Sequence, residues 1–165
     1  MTAIKRVAIC PGTFDPITLG HFDIIERGLN LFDHIIVGVS QTAQKNVLLT
    51  LDERITLIKQ TFAQRPEVSV ECFEGLLIDF ARRKKVKSIL RGLRTVSDFE
   101  YEIQMATANR FLSSEVETLF MMTDGRFSHL SSSLIREILH FGGNIKGMVP
   151  QCIEAFLDKK KGNKL

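Results

Sequence analysis

The sequence predicts an α/β fold: a doubly wound, five-stranded parallel sheet with helices on both faces. Three observations lead there. Short apolar runs alternate with segments of helical period five times along the 165 residues. Runs such as Ile35-Ile36-Val37-Gly38-Val39 are apolar throughout, as strands covered on both faces require. Helix-start signals recur after those runs, with hydroxyl residues set three positions before Glu at Thr50/Glu53 and Ser97/Glu100.

In chain order, the first strand spans about Lys5 to Cys10 and leads through a Gly- and Pro-marked loop into a helix reaching about Phe32. Thr18 is the cap expected for that helix. The second strand is His34 to Ser40; a polar loop, Gln41 to Leu49, then leads to the helix opened by Thr50. Pro66 closes that helix, and the third strand is Val68 to Phe73. Gly75 introduces a helix whose last turn is Arg82-Arg83-Lys84-Lys85, a solvated run that complements the dipole. The fourth strand is Ser88 to Arg91, followed by a long helix from Ser97 to about Leu112. The fifth strand, Thr118 to Met122, precedes a loop and a helix begun by Ser131-Ser132-Ser133. Gly142-Gly143 ends that helix, and Pro150 suits the first turn of another. No linker or repeat divides the chain, so residues 1–165 read as one domain, with 159–165 a frayed basic tail.

Composition bounds the function. A hydrophobic share of 44%, a charged share of 25% and a net charge of +3 are those of an ordinary globular domain. So small an excess of Lys and Arg suits small anionic ligands and does not call for nucleic acid. Three scattered cysteines, Cys10, Cys72 and Cys152, indicate neither a disulfide framework nor a zinc site. Cys10 and Cys72 lie in apolar strands, where cysteine reads as a small buried hydrophobe. No signal-peptide pattern or membrane-length apolar run is present, and a cytoplasmic, membrane-free protein is expected.

The residues able to carry chemistry sort onto one edge of the sheet. Thr13 and His21 follow strand one, Lys45 follows strand two, Arg91 and Arg94 follow strand four, and the serine triplet follows strand five. In doubly wound sheets ligands bind beyond the carboxyl ends of the strands. Cations, a Gly-rich strand-to-helix loop and a helix N-terminus together suit a polyphosphate. Neither Gly-x-x-x-x-Gly-Lys-Ser/Thr nor Gly-x-Gly-x-x-Gly occurs, which disfavours P-loop and dinucleotide readings. The serines lack the Gly-x-Ser-x-Gly elbow of hydrolases and read as helix caps. Asp15 and Asp98 read as loop and cap residues, and His34 and His140 as helix-flanking surface residues.

Gly12-Thr13-Phe14-Asp15-Pro16 followed by Thr18-Leu19-Gly20-His21 resembles the signature of the nucleotidyltransferases. Two further blocks narrow this: Ile89-Leu90-Arg91-Gly92-Leu93-Arg94 with Asp98-Phe99-Glu100-Tyr101-Glu102, and Ser131-Ser132-Ser133-Leu134-Ile135-Arg136-Glu137. In that order and spacing the chain resembles the bacterial phosphopantetheine adenylyltransferases, from about residue 5 to about residue 157.

The resemblance implies a Rossmann-like nucleotidyltransferase fold and transfer of the AMP group of ATP to 4′-phosphopantetheine. The products are dephospho-coenzyme A and pyrophosphate, the penultimate step of coenzyme A synthesis. It gives His21 the catalytic role, donating to the oxygens of the α-phosphate. It assigns Thr13, Lys45, Leu77 and Arg91 to the acceptor. To ATP it assigns Thr13, Phe14, His21, Gly92, Leu93, Arg94, Glu102, Phe127, Ser128, His129, Leu130, Ser131, Ser132 and Ser133. Phe127 stands where the family often has Trp or Tyr. Magnesium arrives with ATP and no protein metal site is implied; the assembly implied is a homohexamer.

On the residues alone, other readings stand beside these. Lys45 reads equally as a solvated loop lysine, Leu77 as core, and Glu102 as an exposed i,i+4 partner. The apolar residues of the fourth helix suit either a partner or their own sheet. Arg91, after a buried strand, is better explained by a bound anion than by an unpaired charge. Other nucleotidyltransferases, acting on nicotinamide mononucleotide or glycerol or choline phosphates, are set apart by the Arg91–Arg94 block. A non-catalytic nucleotide-binding module has no need of His21.

Overall fold

The computed structural model describes residues 5–41 and 47–162. Lys45 lies outside the described residues. Five strands, β1 (Val7–Gly12), β2 (His34–Ser40), β3 (Val68–Phe73), β4 (Ser88–Leu93) and β5 (Glu117–Met122), form one parallel sheet in the order β3-β2-β1-β4-β5. The helices are α1 (Leu19–Gly28), α2 (Leu51–Thr61), α3 (Leu77–Lys84), α4 (Val96–Leu112), α5 (Ser132–His140) and α6 (Gln151–Gly162). Strand periodicity divides the core in two. Ala8, Ile35, Val37 and Leu90 point to the face covered by α1, α2, α5 and α6. Ile9, Ile36 and Ile89 point to the other, against Ile78, Phe80 and Ala81 of α3.

The chain order reverses between β1 and β4, and there the sheet opens. β1 pairs with β2 at six positions but with β4 only at Ala8↔Ser88 and Ile9↔Ile89. Beyond those pairs Pro11 and Gly12 belong to β1, two residues past the strand end expected from sequence. The Pro11 carbonyl points toward β4, where it meets the Arg91 side chain instead of a backbone donor. A proline is tolerated in this central strand because its missing N–H falls where that ladder has ended.

Several boundaries differ from expectation. α1 stops at Gly28, after which the hydrogen bonds tighten to a three-residue step, Asn30 N–H to the Arg27 carbonyl and Leu31 N–H to the Gly28 carbonyl, short of Phe32. A Cβ at Gly28 would stand 2.6 Å from Leu90 and 2.8 Å from Ile35, so glycine is what lets the helix lie this close to the sheet. α4 is capped by Thr95, whose Oγ1 accepts from the Asp98 N–H at 3.2 Å, and not by Ser97. Thr95 and Asp98 have the same three-residue spacing, and the Arg94–Asp98 ion pair fixes the earlier start. α6 continues through Gly162, and the Lys160 ammonium lies 2.8 Å from Glu53, so the basic end is tied to α2 that far and not frayed from residue 159. Cys72 is exposed, since β3 is an edge strand, whereas Cys10 is buried as expected. His34 opens β2 and bonds the Ser69 hydroxyl at 2.9 Å. The Thr50/Glu53 capping box is present in both directions.

Candidate active site

The loop between β1 and α1 is built to hold one histidine. Thr18 caps α1, and His21 occupies the third helical position, where a Glu or Gln normally completes a capping box. The Thr18 backbone N–H donates to His21 Nδ1 at 3.1 Å, and the Thr18 hydroxyl lies 2.9 Å from the same nitrogen. An amide N–H only donates, so Nδ1 is the acceptor and the ring proton sits on Nε2. Burial, with Arg94 and Arg91 adding repulsion, pushes the His21 pKa down to about 4. At neutral pH the imidazole is an uncharged N–H donor. Phe14 packs edge-on against it, ring centres 5.2 Å apart, from a backbone φ of 51° that a bulky residue adopts only under constraint. Gly12 permits this: a Cβ there would stand 2.9 Å from the Phe14 ring.

Three arginines share the cleft with His21: Arg91 and Arg94 are each held by a carboxylate and a carbonyl from separate segments, and Arg136 by the carbonyl and carboxylate of Asp15. Arg91 donates to both oxygens of Glu102 and, at 2.6 Å, to the Pro11 carbonyl. Arg94 donates to both oxygens of Asp98 at 2.8 and 2.9 Å and to the Leu130 carbonyl at 2.8 Å. Arg136 of α5 donates to the Asp15 carbonyl at 2.7 Å, and the Asp15 carboxylate lies 3.8 Å away. Asp15 in turn accepts from the Leu48 and Leu49 N–H groups, a loop role as expected from sequence. Burial would lower the Arg91 pKa, and the hydrogen bond and charge of Glu102 outweigh it, leaving it raised. All three guanidiniums keep N–H groups beyond those named here for a ligand.

The serine triplet forms the remaining wall. Ser131 caps α5 by accepting from the Leu134 N–H at 3.0 Å, and the Ser132 hydroxyl donates to the Pro16 carbonyl at 2.8 Å. That second bond ties the α5 N-terminus to the loop before His21. The resulting cleft measures about 390 Å³. A second cavity of about 260 Å³ adjoins it, sharing Thr13, Arg91 and Glu102 and continuing to Leu77, Tyr101 and Met105. A larger open groove of about 620 Å³ lies at the amino end of β4 and β5 and holds none of these groups. Burial pushes the Cys10 thiol up to about 11, so the thiol in the cleft is protonated and no nucleophile. Among the described residues no cluster of three His, Cys, Asp or Glu side chains could hold a metal.

Of the residues assigned from the sequence, Thr13, Phe14, His21, Arg91, Gly92, Arg94, Glu102, Leu130 and Ser131 to Ser133 line the cleft. Leu77 lines the adjoining cavity. Leu93 is buried in the sheet. Phe127, Ser128 and His129 stand in the turn after β5, outside the cleft lining, with Arg126 over the Phe127 ring at 5.3 Å. Arg91 has an anion within the chain, Glu102, and that carboxylate is buried, which corrects the reading of Glu102 as an exposed i,i+4 partner. Sequence reading missed Arg136, though its i+3 spacing from Ser133 places both on one face of α5. It also missed Arg54, which is 3% exposed and donates to the carbonyls of Thr13 at 2.8 Å and Ser40 at 3.2 Å. A mid-helix arginine carries no local signal of burial.

Comparison with known proteins agrees with this geometry. A family model described as cytidylyltransferase-like matches residues 9–138. The chain is 50% identical over 155 residues to the phosphopantetheine adenylyltransferase of Alkaliphilus metalliredigens, covering 94% of this chain and 99% of that one. It is likewise 50% identical to that of Geotalea daltonii over 94% of this chain and 96% of the other, and to that of Desulfosudis oleivorans over 95% and 94%. With the motif residues assembled in one cleft and relatives of this similarity along nearly its whole length, the chain belongs to the phosphopantetheine adenylyltransferases of the cytidylyltransferase-like family.

Proposed function

We propose that this chain transfers the AMP group of ATP to 4′-phosphopantetheine, releasing pyrophosphate and forming dephospho-coenzyme A. The observation that carries this reading is the pair of cavities meeting at Thr13 and Arg91. One is lined by His21, two further arginines and a helix N-terminus, groups suited to a polyphosphate. The other is smaller and partly apolar, suited to a pantetheine arm. The reacting phosphates then meet at the shared wall.

The acceptor phosphate is itself the nucleophile. One of its oxygens attacks the α-phosphorus in line, a P–O bond forms, and the bond to the pyrophosphate oxygen breaks. The protein's part is to align two polyanions and to neutralise charge on the equatorial oxygens. Neutral His21 donates its Nε2 proton in a hydrogen bond to those oxygens without transferring it. Arg94, Arg136 and the α5 N-terminus hold the triphosphate, Thr13 orients the attacking phosphate, and Arg91 binds it. Lys45 is assigned to the same phosphate by the family pattern. Magnesium enters as part of the nucleotide, held by phosphate oxygens and water.

A homohexamer in the cytoplasm completes the reading. α4 supports assembly: of its 17 residues only Glu102 is buried, while Phe99, Tyr101, Ile103, Met105 and Phe111 are exposed. Phe99 also meets Phe120 of β5 edge-on, ring centres 6.2 Å apart, while Phe111 is 90% exposed, and this outward apolar surface supports a partner-facing role for α4. Among the described residues no helix is long and apolar enough to cross a membrane. The deciding experiment measures pyrophosphate release from ATP with 4′-phosphopantetheine, nicotinamide mononucleotide or glycerol 3-phosphate as acceptor. Release with the first alone is expected; release with another acceptor instead would overturn the assignment.

A further inference from the structure

The one side chain that α4 buries is a carboxylate, Glu102. Burying a carboxylate is unfavourable unless it is paired. Its partner is Arg91, whose Nε donates to Oε2 at 2.7 Å and whose Nη2 donates to Oε1. Nη1 of the same guanidinium donates to the Pro11 carbonyl at 2.6 Å. A guanidinium has five N–H groups, so two remain. Both residues lie on the wall shared by the nucleotide cleft and the adjoining cavity. Both Glu102 oxygens face the Arg91 guanidinium.

We propose that Glu102 is a positioning residue for the acceptor phosphate. It clamps the Arg91 guanidinium between its own carboxylate and the Pro11 carbonyl, so that the two remaining N–H groups meet the phosphate of 4′-phosphopantetheine. The reading rests on the acceptor assignment given above. A guanidinium tied down at three of its donors loses little freedom when the phosphate arrives, and such preorganisation raises affinity by lowering the ordering cost. Gln keeps the shape of Glu102 but presents an NH₂ to one of the Arg91 donors, which breaks the two-point clamp.

The test is a double-mutant cycle on the whole enzyme, with half-saturating concentrations measured for each substrate. Glu102→Gln is expected to raise that of 4′-phosphopantetheine about tenfold, with ATP changed less than about twofold. Added to Arg91→Ala, it should have almost no further effect, because the group it positions is gone. A rise confined to ATP would make Glu102 a nucleotide ligand and overturn the proposal. Equal rises for both substrates, or effects that add in the double variant, would overturn it as well. If Glu102→Gln does not fold, Glu102→Asp keeps the charge at shorter reach and must still weaken 4′-phosphopantetheine alone. Pyrophosphate release by the wild type is measured alongside. No release would overturn the proposed function; release with additive variants would overturn only the role of Glu102.

Discussion

Thr18 gives its backbone N–H to Nδ1 of His21 at 3.1 Å, and this bond decides where the imidazole carries its proton. Protonating Nδ1 would set two donors against each other at the N-terminal turn of α1, beside Arg94 and Arg91. The ring therefore stays neutral and presents Nε2–H.

His21→Ala should lower turnover by roughly 100- to 1,000-fold, the effect of deleting one preorganised donor to a developing anion. Affinity for ATP should change far less, because the contact strengthens mainly in the transition state. Initial rates beside direct ATP titration check this. Weak ATP binding with unchanged turnover at saturation would make His21 a ground-state ligand.

The His21 pKa of about 4 also makes a stability claim. An unfolded histidine titrates near 6.5, so between about pH 4 and 6.5 the unfolded chain binds the extra proton. The contribution of neutral His21 is complete above pH 6.5 and is lost as pH falls toward 4. Urea unfolding at pH 7.5 and pH 5 should therefore show a larger loss for the wild type than for His21→Asn. Equal losses would mean the ring titrates normally in the folded protein.

Arg54→Ala should destabilise the fold by about 2–4 kcal/mol, since it leaves two half-buried carbonyls without their donor and opens a cavity where a buried side chain stood. The carbonyls are those of Thr13 and Ser40, which frame the acceptor side. Chemical denaturation measures it; a cost under about 0.5 kcal/mol, the range of surface changes, would contradict a structural role.

Gly12→Ala should cost about 1–3 kcal/mol, as overpacking does in a filled site. Its Cβ would stand within 2.9–3.2 Å of the Phe14 ring, which is only 2% exposed and backs His21. Turnover should fall with it. Wild-type stability together with wild-type turnover would show that the ring has room to move.

Sedimentation at micromolar concentration should show a hexamer, motivated by the exposed apolar face of α4. A monomer throughout a dilution series would remove the assembly and leave that face without a partner.

The alternation of strands and helices, the Thr50 cap and the grouping of Thr13, His21, Arg91, Arg94 and the serines at one sheet edge were all legible in the chain. They rest on periods of two and 3.6 residues and on spacings of three or four, which a sequence carries locally. Once strands run parallel, their carboxyl ends share an edge by necessity. What each charged group touches was decided only in three dimensions. Arg136 reaches the Asp15 carbonyl across 121 residues and Arg91 the Pro11 carbonyl across 80. Glu102 looked like a surface partner on its helix until β4 placed a guanidinium beneath it. Partner choice follows from where the sheet splits and which side chain shares the low-dielectric pocket, and no local pattern encodes either. The protonation of His21 lies between these limits: its Thr18 partner is three residues away, while the burial and the two arginines that hold its pKa down come from the assembled fold.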